Sequence, residues 1–254
     1  MKIGIISGNI IENLFKNSER INVETKYGNI SVEFEKSKNH SIFFINRHGK
    51  DSNIPPHKIN YLANVQALSS SHVDCIIALG TVGSMKKSIK PGEFVVPHDF
   101  IDYTKLRKTS YFDNERIHVD VTEPYCPSLR KILINTLQKI DGISYHEKGV
   151  YLATEGPRLE SASEINMFSN YADIVGMTGV PEVVLSREKG ICYVSLCIVC
   201  NMATGLQYRL DADEISSIYS DKKSIISKIF QMTIESIHEK TKCNCKSDLS
   251  KATL

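Results

Sequence analysis

The chain lacks any apolar run approaching the roughly 18–20 residues that a membrane-spanning helix needs, so no transmembrane helix is expected. It also carries almost no net charge: 31 Lys and Arg against 29 Asp and Glu leave +2 over 254 residues. That balance argues against a nucleic-acid scaffold, which would show a strong basic excess. The apolar core of a signal peptide is missing, because Lys2 leads straight into Ile3-Gly4-Ile5-Ile6, which reads as a strand. A cytoplasmic protein is therefore expected. No low-complexity linker and no internal repeat divides the chain, and its histidines are scattered without ligand spacing. The last point argues against a metal hydrolase, and no metal is expected in the site.

What is present is a sizeable stock of core residues, 41% of the chain, in short apolar runs that alternate with amphipathic stretches. Strands are predicted at Met1–Ser7, Ser41–Asn46, Val73–Leu79, Glu93–Val96, Gly149–Ala153, Asp173–Val175 and Ile191–Val199. A hairpin is predicted over Val23–Phe34 around Tyr27-Gly28-Asn29. Helices are predicted from Ile54-Pro55-Pro56 through Ala67, and over Leu129–Ile140, Ala162–Tyr171, Val180–Glu188 and Asp213–Lys240. Asp99–Pro127 has no clear period and reads as a long loop. The pattern predicts one α/β domain over residues 1–240, with a central mixed sheet bending towards a barrel and flanked by helices, followed by a polar Cys-x-Cys tail, 241–254.

Two distant segments read as one binding site. One is Glu155-Gly156-Pro157-Arg158-Leu159-Glu160, and the other runs from Val175-Gly176-Met177-Thr178-Gly179 to Val183, with Asn201 at the end of the next apolar strand. Each places a donor or acceptor where a strand stops, which is where α/β proteins build ligand sites. Gly8-Asn9, Arg47-His48 and Gly80-Thr81 also follow strands. Singly, a Gly-Asn is a turn and a Thr is a cap. Four strand ends carrying small, hydroxyl or cationic residues together suit an anion, since backbone N–H groups can approach it and an Arg offers a planar set of donors.

These motifs, together with Arg47-His48-Gly49 and Ile54-Pro55-Pro56-His57-Lys58-Ile59-Asn60-Tyr61, are similar to those of the trimeric purine nucleoside phosphorylase and methylthioadenosine phosphorylase family, over roughly residues 2–240. The resemblance implies phosphorolysis of a purine nucleoside to the free base and a sugar 1-phosphate. Phosphate would be a co-substrate, no cofactor would be needed, and the chain would form a homotrimer or hexamer. It implies a phosphate site of Asn9, Arg47, His48, Thr81 and Thr178. The chain departs from the family there: Asn9 stands where Thr or Ser is usual, and Ser52 where a second His is usual. Met177 would pack beneath the sugar, and His118 would reach the sugar from a neighbouring subunit.

For the base, the resemblance implies Leu159, Glu160 and Asn201, with Glu160, Asn201 and His48 as the catalytic set. A 6-oxopurine carries N–H at ring position 1, which a carboxylate accepts, and an Asn amide can serve the keto oxygen and position 7. Adenine offers a lone pair at position 1 and would meet Glu160 badly. The competing account places Glu160 in the first turn of the following helix, where it would merely favour the dipole. Ala212 stands where nucleoside-type relatives have a His, and leaves room for a 5′-methylthio group. The substrate expected is S-methyl-5′-thioinosine, or inosine and guanosine. The alternatives are an adenine-specific methylthioadenosine phosphorylase and a non-catalytic nucleoside-binding regulator. Of the seven cysteines, Cys75 reads as a buried thiol. Cys-x-Cys tails resembling Cys243-Asn244-Cys245 occur in thermophilic members, which implies disulfides: Cys126 with Cys197, and Cys192 with Cys243 or Cys245.

Overall fold

In a computed structural model the residues described are 1–8, 11, 14–15, 17–37, 39–207, 212–238, 243–248 and 252, the side chains of residues 212 and 214 excepted. Three parallel strands start the sheet: β1 (Lys2–Ser7), β4 (Ser41–Asn46) and β5 (Cys75–Ser84). A hairpin of β2 (Glu19–Thr25) and β3 (Gly28–Lys36) adds to the free edge of β4. On the other side of β5 lies β11 (Cys192–Met202), parallel to it from Cys192↔Cys75 to Met202↔Ser84.

The bend of the sheet comes from β5, which is longer than its neighbour β1. β1 pairs with it only from Ile3↔Cys75 to Ile6↔Ala78. Beyond that point β5 takes β10 (Ile174–Gly176) as its antiparallel partner on the same side. The sheet divides there. One arm continues through β10 to β9 (Val150–Thr154) and β7 (Asp99–Tyr103), and the other through β11 to β6 (Phe94–Val95) and β8 (Tyr145–His146). This is the curvature expected of the α/β domain.

Helices cover both faces. α1 (Tyr61–Ser70) and α4 (Gly179–Glu188) pack on one, and α2 (Pro127–Leu137) and α5 (Ala212–Ser236) on the other, while α3 (Ala162–Phe168) follows β9. β11 is accordingly apolar on both faces, as a central parallel strand must be. Val194, Leu196 and Ile198 join the α2–α5 core, and Tyr193, Cys197 and Val199 the α1–α4 core. No helix among the described residues is long and apolar enough to cross a membrane.

Several sequence expectations are corrected. The helix expected from Ile54 begins only at Tyr61, after a short turn at Pro56–Lys58, because the Asn60 side chain accepts the Ala63 N–H at 3.0 Å and caps it there. β5 does not stop at Leu79, because β10 and β11 keep pairing with it to Ser84. The loop over Asp99–Pro127 opens with β7, which pairs with β9. The Cys126–Cys197 disulfide is wrong for a simple reason of register. Cys192 and Cys197 are an odd number of residues apart on β11 and face opposite sides of the sheet. Cys126 shares the α2–α5 core with Cys192, whereas Cys197 lies in the other core. All seven cysteines are free thiols.

Because Leu196 is fully buried between β11 and the α2–α5 layer, Leu196→Ala is expected to cost about 2–5 kcal/mol. Urea unfolding should show this as a lower midpoint with an unchanged slope.

Candidate active site

The strand ends converge on a cavity of about 400 Å³, within the usual range for a small-molecule site. It receives Ser7 and Gly8 from the end of β1, Arg47 and His48 from the end of β4, and Thr81 and Gly83 from β5. Leu159 and Glu160 come from beyond β9, Met177 and Thr178 from beyond β10, and Asn201 from β11. The cavity thus brings together Arg47, His48, Thr81, Leu159, Glu160, Met177, Thr178 and Asn201. Asn9 lies outside the described residues. Ala212 opens α5, and its side chain is likewise outside them. Ile215 and Tyr219 of α5 do line the cavity. His118 does not; it is exposed on the loop after β7, and its backbone N–H donates to the Ala252 carbonyl at 2.8 Å.

Arg47 is the most constrained residue of the site. Its Nε and Nη2 donate to the two carboxylate oxygens of Glu182 at 2.8 and 2.9 Å, Nη1 donates to the Leu79 carbonyl at 2.7 Å, and Nη2 donates also to the Ile6 carbonyl at 3.4 Å. Of the five guanidinium N–H groups, one on Nη1 is left for a ligand. Burial opposes the charge on Arg47, but the Glu182 carboxylate more than offsets it, and the group is held above its ordinary pKa. Glu182 is itself fully buried in α4 and takes a third donor, the Tyr193 hydroxyl, at 3.0 Å. Sequence reasoning gave Glu182 no role. The signal was a carboxylate in an otherwise apolar stretch, Val180-Pro181-Glu182-Val183-Val184-Leu185, which demands a buried partner.

His48 sits beside Gly8, where a Cβ would come within 2.9 Å of the imidazole Cδ2. Its Nδ1 lies 2.7 Å from the Ile54 carbonyl. A carbonyl only accepts, so Nδ1 carries the proton and Nε2 of the neutral ring is an acceptor. Burial is the main cause that lowers the His48 pKa, with Arg47 adding to it against the Ile54 bond, and the ring stays neutral at pH 7. Thr81 is exposed to the cavity although its neighbours in β5 are buried. Thr178 stands at the N-terminus of α4, and its side chain makes no capping bond. Its N–H and that of Gly179 donate instead to the Tyr151 hydroxyl, at 3.2 and 3.1 Å. Burial pushes the Tyr151 pKa up to about 12, so that hydroxyl stays neutral.

The carboxylate of Glu160 is buried and accepts a hydrogen bond from Thr154 Oγ1 at 2.6 Å. Glu160 is not in the first turn of α3. That helix is capped by Ser161, and its first-turn acid is Glu164, in a reciprocal capping box. The account of Glu160 as a dipole partner is thereby removed, and one of its oxygens remains to face the cavity. Thr154, which holds the other oxygen, was missed because a strand-end Thr carries no distinctive pattern. The two motifs quoted from sequence are in contact: a Cβ on Gly156, whose φ is +67°, would fall 2.6 Å from the Met177 sulfur.

Asn201 owes its aim to a bulge. Val199 pairs with Val82 and Asn201 with Gly83, so Cys200 is the extra residue of β11. The Asn201 Nδ2 donates to the Met202 carbonyl at 2.9 Å, and a Cβ on Gly83 would press on it at 3.0 Å. Thr81 is two residues before Gly83, so the hydroxyl end and the amide end of the cavity are about 7 Å apart along β5, roughly the span of a pentose.

The site therefore has a cationic, hydroxyl-bearing end suited to an oxyanion and a carboxylate–amide end suited to a hydrogen-bonding heterocycle, which is a small-molecule site on an α/β sheet. The chain belongs to the phosphorylase superfamily, whose sequence profile matches residues 2–230. It is 44% identical over 254 residues, 99% of each chain, to a probable S-methyl-5′-thioinosine phosphorylase of Methanocaldococcus jannaschii. It is 40% identical, over 98% of this chain and 97% of the relative, to a probable 6-oxopurine nucleoside phosphorylase of Dictyoglomus turgidum. An S-methyl-5′-thioadenosine phosphorylase of Pyrococcus furiosus is 38% identical over 96% of each chain. Among solved structures, methylthioadenosine phosphorylase from Schistosoma mansoni in complex with adenine superposes with a TM-score of 0.90 at 28% identity, over 99% of this chain and 98% of that one.

Removing one member of a buried pair leaves the other charge unpaired. Glu182→Gln is therefore expected to cost about 3–5 kcal/mol although it touches no ligand. Arg47→Ala should destabilise comparably, and a double-mutant cycle of the two in urea should show a strong coupling; additive losses would mean the pair is not the anchor.

Proposed function

We propose that the protein catalyses phosphorolysis of a 6-oxopurine nucleoside, releasing the free base and a pentose 1-phosphate. The observation that carries this reading is the Glu160–Asn201 end of the cavity, with Thr154 turning one Glu160 oxygen away and leaving the other for a ring N–H. Hypoxanthine and guanine present that N–H at position 1. The second Nδ2 hydrogen of Asn201 suits position 7 or the keto oxygen, where charge accumulates as the base departs. Adenine would set a lone pair against a buried carboxylate.

Phosphate is assigned to the other end, held by the remaining Arg47 N–H, Thr81, Thr178 and His48, with Asn9 as a further ligand. A neutral His48 with an accepting Nε2 suits the hydroxyl of monohydrogen phosphate. The phosphate oxygen attacks the anomeric carbon as the bond to the purine breaks, the electron pair of that bond leaves with the base, and the base takes up a proton from solvent to become the free purine. Met177 offers the sugar a polarizable, non-nucleophilic surface. No cofactor enters this scheme; phosphate is the co-substrate.

The sugar assigned is 5′-methylthioribose, giving S-methyl-5′-thioinosine as substrate, with inosine and guanosine as the second reading. Ile215 on α5 supplies an apolar wall near Ala212, and the name of the Methanocaldococcus jannaschii relative points the same way. We assign the enzyme to the cytoplasm as a homotrimer or hexamer in which His118 completes a neighbour's site. Tyr103, Leu106 and Tyr171 are 43%, 89% and 73% exposed, which is consistent with a covered surface there.

The test is phosphate-dependent base release from S-methyl-5′-thioinosine, inosine and S-methyl-5′-thioadenosine. Both oxopurine substrates are expected to exceed the adenine one in kcat/KM by on the order of 10⁴, because the wrong base leaves buried polar groups unpaired. Asn201→Asp should narrow that ratio at least tenfold, about 1.4 kcal/mol. A wild-type preference for the adenine substrate, or an unchanged ratio in the variant, would sink the assignment.

A further inference from the structure

On the far side of β11 from the Tyr193–Glu182 contact, four cysteines meet. Cys126 stands at the N-terminus of α2, Cys192 begins β11, and Cys243 and Cys245 come from the tail. Their four sulfurs all lie within 4.8 Å of one another. Cys126 and Cys245 are almost wholly buried, at 0% and 3% exposed. Cys192 and Cys243 are 3.2 Å apart at sulfur, well beyond a disulfide bond of about 2.05 Å.

We propose that Cys126, Cys192, Cys243 and Cys245 form a structural tetrathiolate site for a thiophilic divalent cation, Zn²⁺. Zinc with four sulfurs at about 2.3 Å sets every sulfur pair near 3.8 Å, which falls between the 3.2 Å of Cys192 to Cys243 and the 4.8 Å that bounds the cluster. Two disulfides would instead contract two pairs and leave the others apart. The tail's Cys-x-Cys is tighter than the spacing of most zinc motifs, but it supplies only two of the four ligands, and both of its sulfurs reach the cluster. On binding, the four thiols give up their protons to solvent and Zn²⁺ takes four thiolates, leaving a net charge of −2. The surroundings are arranged for that charge. Arg187 pairs with Asp248, three residues beyond Cys245, at 3.0 Å, and Cys126 stands at the N-terminus of α2, where the helix dipole favours negative charge.

The site is separate from the nucleoside cavity and does not depend on the activity assigned to it. It would fasten residues 243–248 to the domain. The same tail, through the Ala252 carbonyl, holds the backbone of His118, so the metal would also steady the loop after β7.

The test uses the full chain purified under reducing conditions. After exhaustive dialysis, mass spectrometry of the metal content is expected to find one zinc per chain. Exchange for Co²⁺ should give the visible d–d bands and near-ultraviolet thiolate charge transfer of a tetrahedral sulfur site. Cys243→Ser and Cys245→Ser, which alter only the tail, should lose both signals, Cys75→Ser should keep them, and a chelator should lower the Tm of the wild type but not of the tail variants. The proposal is overturned by wild-type protein that holds no zinc and takes up neither metal under reducing conditions, whether its sulfurs titrate as thiols or intact mass shows two disulfides. Metal retained in both tail variants overturns it as well.

Discussion

The buried pair of Arg47 and Glu182 is the constraint around which the site is built. It joins the end of β4 to α4 beneath the cavity, and Arg47 also reaches the carbonyls of Ile6 on β1 and Leu79 on β5. One side chain thus fixes the relative positions of the ends of β1 and β4, the middle of β5 and a helix. Desolvating both charges is expensive, and hydrogen bonds to every remaining face are what make such a pair tolerable. Here Tyr193 and the two carbonyls provide them. An arginine so held cannot swing towards a ligand. It offers a fixed positive potential and a single N–H, which is preorganisation at the cost of reach.

The second constraint is the β5–β11 register. β5 carries Thr81 towards the cationic, hydroxyl-bearing end of the cavity and lies opposite Asn201 at the carboxylate–amide end, so the distance between the two ends is set by strand pitch rather than by loops. A regular ladder would keep strict alternation along β11. The inserted Cys200 breaks it where Asn201 must turn, and Gly83 leaves the space that the amide occupies. Gly8 against His48 and Gly156 against Met177 are the same device at two other strand ends.

Much of this was legible in the sequence, for identifiable reasons. Ser41–Asn46 is legible with its observed limits because a four-residue apolar run, Ile42–Ile45, is too short for a helix and is closed by turn residues. The site residues could be gathered because each follows an apolar run, and strand ends converge in an α/β sheet. What escaped were features fixed by pairing rather than by local pattern. The extension of β5 to Ser84 depends on β10, and β7 exists only because β9 lies beside it. Thr154 and Tyr151 look like ordinary strand residues until their partners are known. The cysteine error is different: alternation puts Cys192 and Cys197 on opposite faces of β11, but the side on which Cys126 lies is fixed only by the packing of α2, which the sequence does not show.

Glu160 shows how a role is decided by its surroundings rather than by its own position. A glutamate before a helix has a routine use at the dipole, and the sequence alone left that open. The structure gives the use to Glu164, four residues later, together with the Ser161 cap and a salt bridge to Arg158 at 2.8 Å. Glu160 is left buried, with the Thr154 hydroxyl as its partner. Its second oxygen is not closed off in the protein interior but faces the cavity, so a ligand that docks there must replace the hydrogen bonds of water. A ligand bearing an N–H at the right place replaces that hydrogen bond, while one bearing a lone pair leaves the oxygen unpaired. Base selectivity in this scheme comes from a carboxylate that Thr154 holds still and that the neighbouring helix cap, served by Glu164, leaves to the cavity.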